Sequence, residues 1–347
     1  MAAWQNFYSQ VFAIFPYTDR IPVILLSTDN PAVRNLYRLN WFGKFLKPIY
    51  VEYKIIPAFE MDSCAQRLQS LFAGRKLLIA TKHQKEKVIA PPLETALEID
   101  CFVPENFDTD ALGTFTGEVE RGADPLSTAR KKCRWAMEHS GCDLAVASEG
   151  SFGSHPFLFF ARADEEWLVL IDEKNDLEIV TRELSTDTNF NGEAVGTEAE
   201  LSAFAKTAGF PSHGLILRAE KDSMTGLRKN ITSWESLKQN FHELIALHAR
   251  AYVETDMRAM YNPTRMSVIE RAAYKLVEKI RSCCPQCNMP GFAITQAQPG
   301  LPCSWCRQPT RSTLYYLYSC VKCDYTKEKR NPDKGAEDPM YCDYCNP

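Results

Sequence analysis

Residues 283–347 carry four Cys-x-x-Cys pairs: Cys284 with Cys287, Cys303 with Cys306, Cys320 with Cys323, and Cys342 with Cys345. No other feature restricts the fold of this chain as tightly. Two such knuckles set four thiolates around one tetrahedral zinc, and the ion supplies folding energy that so small a module lacks from its core. Four knuckles therefore imply two structural zinc ions in a double zinc ribbon. Sequential, nested and crossed pairings of the knuckles all respect the spacings. The stretch "CNMPGFAITQAQPGLPC" offers a hairpin between the first two, which favours sequential sites. Cys283 is left as a spare thiol. Nine of the 13 cysteines follow Arg281, so cysteine usage reads as metal binding in a reducing compartment rather than as a disulfide framework. Four copies without a thioredoxin-like strand and helix weigh against redox-active pairs.

The rest of the chain of 347 residues has room for one large domain. Hydrophobic residues at 45% and charged residues at 24% are those of a globular protein. A net charge of -4 and a pI near 6.0 exclude a protein whose whole surface grips nucleic acid. The apolar stretches "VFAIF" and "IPVILLS" are broken by Pro16, Asp19, Arg20 and Pro22, so neither spans a bilayer, and no signal peptide is legible. The expectation is a cytoplasmic protein with no membrane partner.

Residues 1–72 show no sustained period and read as an N-terminal extension of uncertain status. "RKLLIAT" is the first clean strand and opens an α/β domain over residues 73–282, followed by the zinc-ribbon domain over 283–347. Strand "IDCFVP", helix "DPLSTARKKCRWAMEH" and strand "DLAVAS" continue the layered pattern. "FLFFARADEEWLVLID" and "LEIVTREL" read as an antiparallel addition to the same sheet, with Asp164 and Glu165 in turns. Thr197 and Glu200 form a capping box, and the apolar stripe of "MSVIERAAYKLVEKI" marks a last helix. The fold class is α/β: a mixed twisted sheet flanked by helices, with a small C-terminal double zinc-ribbon module.

"DLAVASEGSFGSHP" opens as a buried strand and then reads as a turn rich in Gly and Ser. Ligands of α/β sheets sit at the carboxyl ends of strands, so Glu149 is the first candidate for catalysis. Lys82 and Lys85 stand where the first strand meets a helix N-terminus, a setting suited to phosphates, and Arg130 on the next helix is a further anion contact. Asp108, Asp110, Glu118 and Glu120 precede that helix, and carboxylates facing a polyphosphate recruit Mg²⁺. In "VETDMRAMYNPTR", Glu254, Asp256, Arg258 and Arg265 crowd the end of the last strand.

"LLIATKHQKEK", "DPLSTARKKCRWA" and "CDLAVASEGSF" follow the order seen in the inosine triphosphate pyrophosphatase-like superfamily, which they resemble over roughly residues 75–282. "NPTRM" is similar to that superfamily's base-binding Ser-His-Arg element, with Thr264 and Arg265 matching and no His. The resemblance implies that Lys82 and Lys85 contact phosphates, that Glu149 binds Mg²⁺ or activates water, and that Thr264 and Arg265 meet the base. Ser148-Glu149 departs from the superfamily's paired acids, and the zinc tail is foreign to it. From about Phe72 onward the chain looks closer to a bacterial family of uncharacterised proteins that join such an α/β domain to the same cysteine-rich tail.

Two functions follow as expectations. One is a Mg²⁺-dependent nucleoside triphosphate pyrophosphatase or phosphatase, whose partner is a nucleotide or another phosphorylated small molecule. The other is a non-enzymatic zinc-ribbon adaptor for nucleic acid or a protein, since "YYLY" and "TKEKR" supply stacking and charge. A serine hydrolase built on Ser151 fails, because Glu149 stands where a nucleophile elbow needs Gly.

Overall fold

The structure, a computed structural model, describes residues 63–104 and 124–347, which belong to one unit. Asp108, Asp110, Glu118 and Glu120, and the extension up to residue 62, lie outside the described residues.

The first half runs α1 (Ser63–Phe72), β1 (Lys76–Ala80), α2 (Glu86–Leu97), β2 (Asp100–Phe102), α3 (Pro125–Ser140), β3 (Leu144–Ser154), β4 (Arg162–Asp172) and β5 (Leu177–Ser185). The second runs β6 (Gly192–Val195), α4 (Glu198–Thr207), β7 (Leu215–Arg218), β8 (Arg228–Ile231), α5 (Trp234–His248), β9 (Ala251–Thr255) and α6 (Pro263–Arg281). The tail adds β10 (Ala293–Pro299), β11 (Thr313–Ser319) and β12 (Thr326–Arg330).

The first sheet has the order β2-β1-β3-β4-β5. β1 is parallel to β2 and β3, and the β3–β4–β5 meander is antiparallel. Successive β1 side chains enter opposite cores: Leu77 and Ile79 join the core under α1, α2 and α6, and Leu78 and Ala80 join the one under α3. Helix starts follow their caps. Asp124 accepts from Ser127 N ahead of Pro125 in α3, and Asn262 accepts from Arg265 N ahead of Pro263 in α6. The capping box of Thr197 and Glu200 is present at α4.

Five expectations are corrected. The strand begun by "DLAVAS" does not stop at Ser148: β3 continues through Glu149 to Ser154 in unbroken register with β4. "FLFF" is not strand but the exposed tip of the β3–β4 connection. Segments 192–255 do not extend the first sheet. They form a second antiparallel sheet, β6-β9-β7-β8, with its own core against α4 and α5. Finally, α1, placed by pattern in the extension, buries Leu68, Leu71 and Phe72 in the main core. Cys64 of α1 is joined by a disulfide to Cys283, which is therefore not a spare thiol.

No helix among the described residues is long and apolar enough to cross a membrane. The base of the tail is seated on the body: Met289 packs into the main core, and Lys322 Nζ reaches Asp176 Oδ2 at 2.7 Å in the β4–β5 turn.

Candidate functional site

The eight tail cysteines form two tetrads, Cys284, Cys287, Cys320 and Cys323 in one and Cys303, Cys306, Cys342 and Cys345 in the other. The pairing is crossed, against the expectation of sequential sites. Its cause is the strand route: the stretch expected as a hairpin is the single strand β10, which carries the chain from the first knuckle to the second. β11 then returns antiparallel to bring the third knuckle to the first, and β12 leads back towards the fourth. Sγ atoms lie 3.8 Å (Cys284–Cys323) and 3.6 Å (Cys287–Cys320) apart in the first tetrad. In the second they lie 3.9 Å (Cys303–Cys345) and 3.6 Å (Cys306–Cys342) apart. Thiolates at about 2.3 Å around a tetrahedral zinc stand about 3.8 Å from one another, so both donor sets fit the ion. N–H groups of Gln286, Trp305 and Lys322 donate to Cys284, Cys303 and Cys320, the charge-stabilising pattern of a thiolate knuckle.

In the body, β3 outruns β1, whose last partner is Ala147. Lys85, at the entry to α2, fills the place where the next β1 residue would pair: its Nζ donates to Ser148 O at 3.0 Å and Ser148 Oγ at 2.8 Å. Lys132 of α3 is ion-paired with Glu149 on the sheet face towards that helix. On the opposite face Arg265 Nε donates to Glu166 Oε1 at 2.6 Å, and both side chains are fully buried. Gly150 is directly across from Glu166. A Cβ there would stand 2.7 Å from Arg265 Nη2 and closer still to Glu166 Oε1, so the glycine of "SEG" leaves room for the ion pair. The Arg265 guanidinium lies over the Phe152 ring, 5.1 Å from its centroid.

Asp164, across from Phe152, is wholly buried, and neither of its carboxylate oxygens accepts a hydrogen bond among the described residues. Glu166 Oε2 is equally bare. Burial, with Glu166 alongside, pushes the Asp164 carboxyl up to about 8. Burial, helped by Arg265, pushes the Lys85 ammonium down to about 8 against the pull of Glu166 and Glu149.

This cluster adjoins a cleft of about 400 Å³ between the two sheets, lined by Phe152, Arg162, Phe190, Arg218, Tyr252 and Met257 among others. Arg265 joins the two, stacking on Phe152 and donating through Nη1 to Met257 O.

Of the residues singled out from sequence, Glu149, Lys85 and Arg265 come together here. Lys82 is exposed in the bend after β1. Arg130 is turned to β5, where it holds Glu178 Oε1 at 2.7 Å. Thr264 Oγ1 lies 2.9 Å from His213 Nε2. Asp164 and Glu166 were missed, with Asp164 assigned to a turn. Their parity with Leu168 and Leu170 on β4, both core residues, is the signal that finds them.

A family model described as a domain of unknown function (DUF6671) matches residues 132–347, more than half of the chain. The chain belongs to the DUF6671 family. The DUF6671 match spans Lys132, Glu149, Asp164, Glu166, Arg265 and all eight knuckle cysteines, and begins after Lys82 and Lys85. No curated protein matches the chain.

Proposed function

We propose that this DUF6671 protein is a Mg²⁺-dependent hydrolase of nucleotides, acting on nucleoside triphosphates in the cleft between its two sheets, with the zinc ribbons as a structural module. One observation carries the reading: Lys85, Lys132, Glu149, Asp164, Glu166 and Arg265 are all buried around the end of β1, and Arg265 ties them to that cleft through Phe152 and Met257. Burying so many charges costs more than an apolar core would, and Lys85 and Asp164 have the displaced protonation that clusters at reaction centres. In this reading the Lys85 ammonium anchors a phosphate, Glu149, oriented by Lys132, takes a proton from water, and the cleft holds the base and sugar. Bound Mg²⁺ would neutralise phosphate charge and activate water. The likeness of "NPTRM" to a Ser-His-Arg element supports it further, since His213 stands beside Thr264 in space.

The test is calorimetry and turnover of the zinc-loaded chain over a nucleotide panel with Mg²⁺, reading phosphate and pyrophosphate separately. At least one nucleoside triphosphate should bind and be cleaved, and Lys85→Ala should weaken that binding at least about tenfold. A chain that neither binds nor cleaves any nucleotide overturns the reading.

A second reading, a docking module, rests on the distal ribbon. Trp305, Met340, Tyr341 and Tyr344 are 78%, 62%, 62% and 66% exposed around the second cysteine tetrad. Each tetrathiolate zinc carries a net charge of about −2, while residues 283–347 hold seven Lys and Arg against six Asp and Glu. That balance repels a polyanion and favours a protein partner over nucleic acid.

A further inference from the structure

The cations of the buried cluster are already engaged. Lys132 is paired with Glu149, Arg265 Nε with Glu166 Oε1, Arg265 Nη1 with Met257 O, and the Lys85 ammonium with both oxygens of Ser148. Three carboxylate oxygens of the cluster remain. Both oxygens of Asp164 and Oε2 of Glu166 are buried without a hydrogen-bond donor among the described residues. A bare buried carboxylate oxygen is costly, and one is rarely left without an ion, a water or a functional role.

The two residues are i and i+2 on β4, on one face of the strand, about 6.6 Å apart along it. Their side chains start from the same side of the sheet, and the longer Glu166 reaches one methylene further. A proton shared between the two carboxyls would satisfy one oxygen of each and leave one of the three bare. A single ion accepting several oxygen ligands satisfies more of them at once. Oxygen-only donors select a hard cation, and Mg²⁺ or Mn²⁺ typically takes one or two carboxylates and completes its shell with water or phosphate. Glu149, the metal ligand expected from sequence, faces α3 and is neutralised there by Lys132.

We propose that Asp164 and Glu166 form a binding site for one hard divalent cation, Mg²⁺ or Mn²⁺, distinct from the two zinc sites of the tail. The site deepens the hydrolase reading by naming its metal ligands, and it rests on that reading for the ion's role but not for its binding.

The test is Mn²⁺ titration of the full-length, zinc-loaded protein, followed by calorimetry and electron paramagnetic resonance, with no nucleotide present. The wild type should bind one Mn²⁺ while keeping its zinc. Asp164→Asn should weaken that binding at least tenfold, and Asp164→Ser serves where the first variant folds poorly. Glu165→Gln, altering a carboxylate that pairs with Arg182 at the surface, should bind as the wild type does. A wild type that binds no Mn²⁺, or an Asp164→Asn protein that binds it unchanged, overturns the proposal. The nucleotide panel reads separately: Mn²⁺ bound at Asp164 without nucleotide cleavage keeps this site and removes the hydrolase. Cleavage without Asp164-dependent Mn²⁺ binding does the reverse.

Discussion

Lys132 and Glu149 are ion-paired across the α3–β3 interface with side chains only 10% and 5% exposed. Removing one partner strands the other charge in a low-dielectric setting, which typically costs about 3–5 kcal/mol, whereas replacing both with neutral groups is often close to harmless. Glu149→Gln should therefore lower stability by about 3 kcal/mol in urea unfolding, and Glu149→Gln with Lys132→Met should recover most of that loss. Additive losses in the double variant would show the pair uncoupled. Activity of a Glu149 variant is best read in this double background.

The crossed tetrads make a counting prediction. Cys287→Ser with Cys320→Ser strikes one site and should leave one zinc per chain. Cys287→Ser with Cys306→Ser strikes both and should leave none, since three thiolates hold the ion far more weakly. One zinc retained in the second variant would instead mean sequential sites.

Phe72 is fully buried, with Leu68 and Leu71 beside it in the main core. Phe72→Ala should cost about 3–5 kcal/mol. Trimming the chain to residue 62 spares these side chains, and trimming to residue 72 removes them all. The shorter trim should give a sharp thermal transition, and the longer a protein that melts lower and binds hydrophobic dye.

Lys85 titrates near 8 when folded and near 10.5 in an unfolded chain. Between those values the unfolded state binds more protons, so this lysine makes stability rise with pH across that window, and its buried charge is least favourable below about 8. Lys85→Met should flatten that rise in denaturation curves from pH 7.5 to 10. If Lys85 anchors phosphate, nucleotide affinity should fall over the same window as the ammonium loses its proton. An equally steep stability rise in the variant would remove Lys85 as its source.

Periodicity and caps made much of this molecule legible. The apolar run "KLLIA", the stripe of α6 and the Thr197–Glu200 box each express a local rule, and each stands in the structure. The knuckle cysteines that gather into the tetrads were legible because spacing alone encodes a knuckle. The parts that escaped are settled by distant partners. "SEGSFGS" has turn composition, yet every residue of it pairs with β4, and Gly150 is there for Glu166 and Arg265. Arg265 and Glu166 are 99 positions apart, beyond any sequence window. α1 is short and largely polar, and only Leu68, Leu71 and Phe72 declare its packing. The knuckle order was open because spacing constrains which residues bind metal but not which strands bring them together.

The tail sheet has no side chain deep enough to tell one strand alignment from the next: β12 is exposed throughout, and no residue of β10 or β11 is buried. Where burial does not discriminate, a two-sided sheet is free to slip by a residue. The tetrads stand at opposite ends of β11, so slippage of β11 against β10 would pull both apart together. In this ribbon two zinc ions held by the tetrads would do the work of a core: they would act as clasps that fix the register of the sheet between them.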